Sequence, residues 1–337
     1  MTEMTVLNGV AIEELLTIPM AVEAVEQAYL EKSKGDAALW PMVFHEFDPG
    51  HADLDIKSGD LGGLGFYGLK VVSWFGANPG KGLPALYGTS LLFDLATGAP
   101  RALLNAGPIT DFRTGAAGAI GAKYLARPDA ETLLMAGTGA LAPYLIAATL
   151  YLLPQIKTVY VTNPHHSECS AAACEAITPQ VEKLLSGCGG CHAAIAAAPD
   201  LEKAVRHSDV ILTATPAREP FIKPEWVQPG THISCVGADM SGKQEVDSAL
   251  FASAKVFGDD TAQCLSVGEC EVPYKAGVFS GHICEIGGVI SGAEAGRTDA
   301  SDITIFDSTG IALQDIATAA ALLQAAQETG KGQTVTL

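Results

Sequence analysis

The chain has 337 residues, of which 48% are hydrophobic and 17% are charged, as is typical of a globular protein large enough for two domains. Acidic side chains outnumber basic ones by 38 to 20, and the net charge of −18 argues against nucleic acid as a partner, because phosphates bind clustered Lys and Arg. The amino terminus has no basic segment followed by an apolar core, so we expect a cytoplasmic protein without a signal peptide. Glycines and a proline interrupt the apolar stretch 133–153, which predicts a buried strand and helix rather than a membrane span.

The first third of the sequence combines one amphipathic helix with several strands. Apolar residues recur at helical spacing between residues 17 and 34, which predicts the helix. Residues 43–47, 68–75 and 89–94 predict strands of an antiparallel α+β region, separated by Gly, Pro and Asp turns. Residues 109–114 lead into a predicted helix at 115–126, whose many small residues indicate that another element packs closely against it.

A glycine turn directly follows a short apolar run at residues 132–136, which has the length of a buried strand. Gly137 would let the chain turn sharply, and Gly139 would let the backbone approach a pyrophosphate closely. Ala142 supplies the third small residue of this motif and lies in an Ala-rich segment with helical spacing. The N–H groups at that helix terminus would face the anion, so the pattern predicts the start of a dinucleotide-binding βαβ unit.

The second predicted strand of this unit, at residues 156–162, ends where the adenosine ribose of a dinucleotide would lie. Asn163 occupies the position of the usual acid that binds both ribose hydroxyls. No Arg is nearby to bind a 2′-phosphate, and only His165 and His166 follow. The sequence therefore predicts NAD or NADP as the cofactor and leaves the choice between them open.

Strands and helices alternate through the rest of the chain. Residues 192–198, 209–215, 231–237 and 300–306 predict strands, and a short helix is predicted at 200–206. The alternation indicates a parallel sheet with crossover helices, next to the α+β region in the sequence. An Ala- and Leu-rich helix is predicted at 311–328.

All eight cysteines lie in the second half of the sequence, and we expect reduced thiols in a cytoplasmic protein. Residues 188–192 match the C-x-x-C-H pattern of haem attachment and half of a zinc site. No second pair of ligands has a suitable spacing, and the segment leads into a predicted strand. We therefore predict no metal site.

Seven blocks of sequence, in the right order and over nearly the full length, resemble the ornithine cyclodeaminase/μ-crystallin family. They are residues 68–72, 113–117, 137–142, 209–215, 229–239 with 242–245, 285–292 and 305–310. The resemblance implies an α/β fold with a Rossmann NAD(P)-binding domain at 129–310. It also implies an α+β substrate-binding and dimerisation domain at 1–128, completed by 311–337, in a homodimer. The implied chemistry is NAD(P)-linked and takes place at the α-carbon of small amino or imino acids.

Three positions match family residues that carry chemical roles. Lys70 matches the active-site lysine, whose ammonium can hold the substrate carboxylate and favour the neutral α-amine that hydride loss requires. Arg113 matches an arginine whose planar fork suits a two-point carboxylate contact. Asp239 matches the catalytic aspartate of the cyclodeaminase and alanine dehydrogenase branches, which could accept a proton from the amine or orient a side-chain amino group. We predict Lys70 and Asp239 as catalytic residues, and Lys70 and Arg113 as substrate-binding residues.

One expected substrate contact is missing from this sequence. Many family members have an arginine after the proline near residue 41 as a second carboxylate anchor, whereas this chain has Met42. We therefore predict Lys57 as a substrate-binding cation that compensates. The usual glutamine of the glycine motif is Leu141 here. The candidate cofactor-binding residues are Thr114, Gly137, Thr138, Gly139, Ala140, Leu141, Asn163, His165, Thr215, Val236, Gly237 and Ser308.

Three functions are compatible with this resemblance. The first is a cyclodeaminase that converts ornithine to proline or lysine to pipecolate, releases ammonia and recycles its own NADH. The second is an oxidoreductase that reduces Δ1-pyrroline-2-carboxylate or Δ1-piperideine-2-carboxylate, or interconverts alanine and pyruvate. The third is a non-catalytic ligand-binding protein similar to the μ-crystallins. Intact Lys70, Arg113 and Asp239 argue against the third, because a pure binding protein does not require all three.

Overall fold

The computed structural model of the protein describes residues 2–337. The chain divides into two compact units, one of residues 2–113 with Ile311–Leu337 and the other of Thr114–Gly310. The strands are β1 (Glu3–Leu7), β2 (Ala37–Leu39), β3 (Val43–Asp48), β4 (Ala52–Leu61), β5 (Phe66–Phe75), β6 (Leu86–Asp94), β7 (Pro100–Asn105), β8 (Thr132–Ala136), β9 (Thr158–Thr162), β10 (Ala194–Ala197), β11 (Val210–Thr213), β12 (His232–Cys235), β13 (Lys255–Gly258), β14 (Cys284–Glu285), β15 (Thr304–Asp307) and β16 (Gln333–Thr336). The helices are α1 (Gly9–Leu15), α2 (Ile18–Lys34), α3 (Ala106–Leu125), α4 (Ala142–Leu152), α5 (Ser170–Leu185), α6 (Leu201–Arg206), α7 (Thr261–Val267), α8 (Glu271–Lys275), α9 (Ile286–Ser291) and α10 (Ala312–Thr329). The roles predicted for the two parts, substrate and dimer contacts in one and cofactor binding in the other, stay predictions.

The first unit is built on an eight-stranded sheet in the order β16-β1-β7-β6-β5-β4-β2, in which β3 also pairs with β4. All of its strand pairs are antiparallel except β1–β7. This arrangement agrees with the α+β region that the sequence predicts. Strand β4 is not predictable from the sequence alone, because its apolar positions alternate with Asp, Ser and Lys and form no apolar run.

Helix α10 packs against α2 and against the sheet of the first unit. Gly59 on β4 and Gly68 on β5 are directly opposite each other in the strand register. A Cβ on Gly59 would lie 3.1 Å from Leu313, and a Cβ on Gly68 would lie 3.4 Å from Ile316. Only the distance at Gly59 is tighter than an ordinary contact, so Gly59 lets Leu313 in the first turn of α10 lie close to the sheet that carries Lys57 and Lys70.

Helix α3 begins at Ala106 and not at residue 115 as the sequence analysis predicted. The Asn105 side chain accepts a hydrogen bond from Gly107 N at 2.9 Å, and Pro108 lies in the first turn. Proline is tolerated there because first-turn N–H groups have no partner within the helix. Arg113 and Thr114 are therefore helical residues and do not belong to a leading segment.

The second unit has an eight-stranded, all-parallel sheet in the order β10-β9-β8-β11-β12-β15-β13-β14. The strand order reverses next to β8, on either side of which β9 and β11 pair, as in a doubly wound Rossmann sheet. The predicted α/β fold is confirmed, and the glycine turn follows β8 as the sequence indicates.

The small residues of α3 allow very close packing within the second unit. A Cβ on Gly115 would lie 2.7 Å from the carbonyl of Tyr144, and a Cβ on Gly118 would lie 2.6 Å from Leu145. Both contacts are made by α4, the helix that follows the glycine turn, so the close packing expected for this segment is present.

Among residues 2–337, no helix is both long and apolar enough to cross a bilayer.

Candidate active site

Lys70 and Arg113 converge on one carboxylate in the first unit. Lys70 Nζ lies 3.0 Å from Oδ1 and 2.9 Å from Oδ2 of Asp315, and Arg113 Nε donates to the same Oδ1 at 3.2 Å. Lys70 and Asp315 are each 3% exposed and Arg113 is 6% exposed. These three side chains, which we call the cationic cluster, have a net charge of +1 when all three are ionised.

Burial and the neighbouring charges set the protonation of the cationic cluster. Burial and the charge of Arg113 lower the pKa of Lys70 from 10.5 to about 8, although Asp315 acts to raise it. Burial acts to raise the pKa of Asp315, but the charges of Arg113 and Lys70 outweigh it and hold that pKa below its usual value. Asp315 is therefore ionised near neutrality, and Lys70 can change its protonation under mildly alkaline conditions.

A chain of hydrogen bonds orients the guanidinium of Arg113. Its Nη1 donates to Gln314 Oε1 at 3.0 Å, and Gln314 Nε2 in turn contacts the hydroxyl of Tyr29 at 2.7 Å. Gln314 and Tyr29 are both buried. Arg113 is thus held at two nitrogens, which leaves Nη2 for a ligand.

A row of polar side chains crosses the sheet at Lys70. In the strand register Lys57 on β4 is directly opposite Lys70 on β5, and Lys70 is directly opposite Ser90 on β6. Directly paired residues have side chains on the same face, about 5 Å apart at Cβ. The Ser90 hydroxyl is buried and has no hydrogen-bond partner within residues 2–337. A buried hydroxyl without a partner beside an ammonium is suited to a polar ligand.

Asp239 lies in the second unit, in the segment after β12. Its carboxylate is 53% exposed and accepts a bond from Lys243 Nζ at 2.5 Å, while Lys243 itself is 15% exposed. The neighbouring Ser241 and Gly242 are both bonded to the buried carboxylate of Glu271. Asp239 therefore presents an accessible carboxylate on an anchored loop, with its charge partly countered by Lys243.

The glycine turn leaves open space at the start of α4. Gly137 has a φ of 129°, and a Cβ there would lie 2.5 Å from the carbonyl of Ala214, so glycine is required for the backbone. A Cβ at Gly139 would meet no atom within 4 Å. A cavity of about 210 Å³ adjoins the turn and is lined by Thr138, Gly139, Ala140, Pro143, Ala173, Ala176, Ile177 and Gln180. Leu141, the residue that caps α4, has no side-chain acceptor for the first N–H groups of the helix. This open, uncapped helix start fits a pyrophosphate.

Asn163 braces the loop that follows β9. Its Nδ2 donates to Thr138 Oγ1 at 3.0 Å, and its Oδ1 accepts from the backbone N–H groups of His165 and His166 at 3.1 and 2.9 Å. The His165 ring meets Phe221 edge-on. The side chain of Asn163 therefore connects the candidate ribose loop to the glycine turn.

Two of the other candidate cofactor-binding residues meet at the buried carboxylate of Glu245. Thr215 donates to Glu245 Oε1 through both its N–H and its hydroxyl, and Gly237 N donates to Oε2 at 2.9 Å. Burial raises the pKa of Glu245, and the bonds from Thr213 and Thr215 act against that rise. Of the remaining candidates, Val236 and Ser308 follow β12 and β15, and Thr114 is buried in α3. The structure thus brings Thr215 and Gly237 of the predicted set together at Glu245.

Several residues in these arrangements were not predicted from the sequence. Asp315 and Gln314 lie in a helix that was recognised only by its Ala and Leu content, and Ser90 lies in an apolar strand. Glu245 lies in a block that carried the family resemblance but had no assigned role. The available signal was Asp315 itself, a carboxylate in the first turn of an Ala- and Leu-rich helix. Its partners are distant in the sequence.

Cysteine and metal chemistry has no visible role in these arrangements. Cys188 and Cys191 are half-buried, and all eight cysteines are free. Within residues 2–337, no cluster of three or more His, Cys, Asp or Glu is arranged to hold a metal ion.

Comparison with known proteins identifies the family. The model of the ornithine cyclodeaminase/mu-crystallin family matches residues 2–330. The alanine dehydrogenase of Archaeoglobus fulgidus is 36% identical over 321 residues, which cover 94% of this chain and 93% of that protein. The solved structure of an archaeal alanine dehydrogenase dimer with bound NAD is 35% identical, with a TM-score of 0.86 over 99% of each chain. The iminosuccinate reductase of Paracoccus denitrificans, solved with NAD⁺, is 31% identical, with a TM-score of 0.89 over 99% of this chain and 100% of that one. As its sequence motifs predicted, the chain belongs to the ornithine cyclodeaminase/mu-crystallin family.

Proposed function

We propose that the protein is an NAD-linked oxidoreductase that interconverts a small α-imino acid and the corresponding L-α-amino acid. The observation that carries this proposal is the buried cationic cluster, in which Lys70 and Arg113 share Asp315 and retain donors for a second carboxylate. A carboxylate next to the reacting carbon is the group that all such substrates have in common.

The substrate carboxylate would bind the free donors of the cationic cluster. Arg113 offers Nη2, and Lys70 offers the ammonium hydrogens that do not face Asp315. Charge-assisted bonds of this kind are about twice as strong as neutral ones, and burial strengthens them further. Lys57 adds a third cation in the same row. We propose that it binds a second anionic group of the substrate or supports the first in place of the missing arginine.

Bound NAD(H) would exchange a hydride with the α-carbon. In the direction of reduction, the imine carbon gains the hydride and the imine nitrogen gains one proton, which gives the amine. In the direction of oxidation the α-ammonium group of the amino acid must first lose a proton to become the neutral amine, and Asp239 is the proposed acceptor because its carboxylate is accessible and anchored. The ammonium of Lys70 near the α-carbon would favour the neutral amine through charge repulsion.

We propose that the glycine turn and the loop after β9 hold the dinucleotide. The glycine turn would receive the pyrophosphate at the start of α4, where Gly139 leaves space for it. The solved relatives contain NAD, and we propose NAD for this chain as well. Asn163 bonds both the glycine turn and the loop after β9, and we propose that it positions this loop for the ribose.

A cyclodeaminase acting on ornithine or lysine is the second candidate, and the exposed carboxylate of Asp239 favours it. Such a carboxylate could orient the side-chain amine that closes the ring. The cationic cluster has two cations and one carboxylate, which favours an anionic group on the substrate instead. Lys243 also counters the charge of Asp239. We therefore place the oxidoreductase first.

We also propose a homodimer. All six residues of β3 are exposed, and they include Val43, Phe44 and Phe47. Exposed aromatic residues on one strand usually mark an interface. One solved relative is a dimer.

The experiment is a substrate panel followed in two channels, NADH absorbance at 340 nm and ammonia. Purified protein and NADH are given pyruvate with ammonia, oxaloacetate with ammonia, or Δ1-pyrroline-2-carboxylate. L-ornithine and L-lysine are tested with a small amount of NAD⁺. Saturable NADH consumption with an imine supports the oxidoreductase. Ammonia in excess of the NAD⁺ added supports the cyclodeaminase, and inactivity in both channels would contradict both.

A further inference from the structure

Asp315 has an unusual place among the groups proposed to bind the substrate. Both cations assigned to the substrate carboxylate already contact an internal carboxylate, which comes from α10 and not from the strands or from α3. Asp315 is 3% exposed and ionised, and burying a charge is unfavourable unless it is well paired. A single carboxylate bonded to two different cations fixes the distance between them.

The surroundings of Asp315 make its contacts specific. Gly59 lets Leu313 of α10 lie close to the sheet, and Gln314, the residue before Asp315, accepts a bond from Arg113 Nη1. The first turn of α10 therefore holds two nitrogens of Arg113 and the ammonium of Lys70 at once. A side chain that served only to neutralise charge would require neither this geometry nor the second contact through Gln314.

We propose that Asp315 is a positioning residue: its carboxylate fixes Lys70 Nζ and Arg113 Nε so that their remaining donors converge on the substrate carboxylate. The inference rests on the proposed function and deepens it. Asp315 does not contact substrate in this account, and acts through Lys70 and Arg113.

Charge balance gives the proposal a second consequence. The charged groups that face Lys70 are Arg113 from α3, Lys57 from β4 and Asp315 from α10. Arg113 and Lys57 lower the pKa of Lys70, and only Asp315 raises it. Without the carboxylate, Lys70 would lose its proton at a lower pH, and a neutral amine binds a carboxylate poorly.

The test compares Asp315→Asn, Asp315→Glu and the control Glu31→Gln in the full-length protein. Glu31 is a buried carboxylate on α2 that pairs with Lys34, so it matches Asp315 in burial and charge. Each variant is assayed for KM of the imino acid, KM of NADH and the pH dependence of kcat/KM between pH 6 and 10.

For Asp315→Asn we expect the KM of the imino acid to rise about ten- to a hundredfold, the range for losing a charged hydrogen-bond partner. The KM of NADH should stay within twofold, and the alkaline fall in kcat/KM, near pH 8 in the wild type, should move to lower pH. Asp315→Glu keeps the charge but displaces it by one methylene. Asp315→Glu should therefore retain the wild-type pH profile and raise the substrate KM by a smaller factor than Asp315→Asn does. Glu31→Gln should change none of these.

An unchanged substrate KM and pH profile in folded Asp315→Asn would overturn the proposal. If that variant does not fold, a wild-type substrate KM in Asp315→Glu would overturn it as well. If the wild type turns over no substrate, the proposed function is wrong, and the test becomes thermal-shift titration with L-alanine, L-aspartate and L-proline. Weaker binding of any of these in Asp315→Asn or Asp315→Glu would support the positioning role, and absence of binding by the wild type would contradict it.

Discussion

Lys57 and Lys70 are directly opposite each other on β4 and β5, with their side chains on the same face of the sheet. Two like charges at this separation repel each other, and the charge of Lys57 contributes to the lowered pKa of Lys70. The charge of Asp315 acts on both lysines and partly offsets this repulsion. The pairing of Lys57 with Lys70 is consistent with the hypothesis that Lys57 replaces the missing arginine. The role of Lys57 stays a prediction.

Replacing Lys57 by methionine tests that hypothesis. We expect the KM of the imino acid to rise about tenfold, since one charge-assisted contact is lost, while the KM of NADH does not change. Lys81→Met is the control, because Lys81 is an exposed lysine in the loop after β5. A wild-type substrate KM in Lys57→Met would remove Lys57 from the site.

Arg113→Lys separates charge from geometry. Lysine keeps the positive charge, but its single nitrogen cannot reproduce the planar fork in which Nε and Nη1 of Arg113 bond Asp315 and Gln314 while Nη2 stays available to the substrate. We predict a rise of about tenfold or more in substrate KM with a smaller change in kcat. Steady-state kinetics measures both. Wild-type kinetics would mean that the guanidinium geometry has no role in substrate binding.

Gly139→Val tests the proposed pyrophosphate position. A Cβ at Gly139 would meet no atom within 4 Å, so we expect the fold to tolerate valine, whose side chain would occupy the space assigned to the cofactor. We expect the Kd for NADH, measured by fluorescence, to rise about tenfold or more, because the backbone can no longer approach the pyrophosphate closely. Gly187→Val is a matched control, because a Cβ at Gly187 also meets nothing. Equal NADH affinity in the two variants would place the cofactor elsewhere.

The burial of His232 predicts how the free energy of unfolding depends on pH. It is fully buried on β12, with its ring nitrogens 2.9 Å from Thr304 Oγ1 and Ser234 Oγ. Burial, and then the charge of Arg297, lowers its pKa from 6.5 to about 3. Between pH 6.5 and 3 the unfolded chain therefore binds a proton that the folded chain does not, so stability falls as the pH falls.

The slope from this one group is at most about 1.4 kcal/mol per pH unit. Urea unfolding at several pH values should give a shallower acid slope for His232→Gln than for the wild type. Parallel slopes in the two proteins would show that His232 does not titrate as described.

The exposed strand β3 leads to a prediction about assembly. Phe44→Glu combined with Phe47→Glu should convert the proposed dimer to a monomer, because charges at the core of an interface are strongly unfavourable. Light scattering should give twice the chain mass of 34.8 kDa for the wild type, and the mass of one chain for the double variant. Tyr274→Glu, a change at an exposed aromatic residue of the second unit, should leave the mass unchanged. A monomeric wild type would contradict the proposed dimer.

Elements with strong local patterns were predictable from the sequence. The periodic apolar residues of α2 and the β-branched or apolar runs of β8, β9 and β11 gave nearly correct boundaries, because burial on both faces of a parallel sheet requires such runs. The start of α3 was missed because glycine and proline near residue 107 look like a turn when no capping contact is visible. The strand β4 was missed because its polar residues gain their structure from pairing with β3 and β5.

The candidate site was predictable only in part. Lys70 and Arg113 could be found because each lies in a block with a family resemblance. Asp315 could not, because its significance depends on a contact with a residue 245 positions away in the sequence. Long-range charge pairing of this kind leaves no local pattern, and only the fold brings the partners together.

The most direct test of the account follows deuterium from [4,4-²H₂]NADH, which carries deuterium at both C4 positions, into the product of the imine that the substrate panel identifies. Hydride transfer to the α-carbon predicts one deuteron on that carbon of the amino-acid product, detected by mass spectrometry and NMR. The label should appear at a strongly reduced rate with Lys70→Met. NADH oxidation without deuterium at the α-carbon, or equal labelling by Lys70→Met and the wild type, would contradict the central claim.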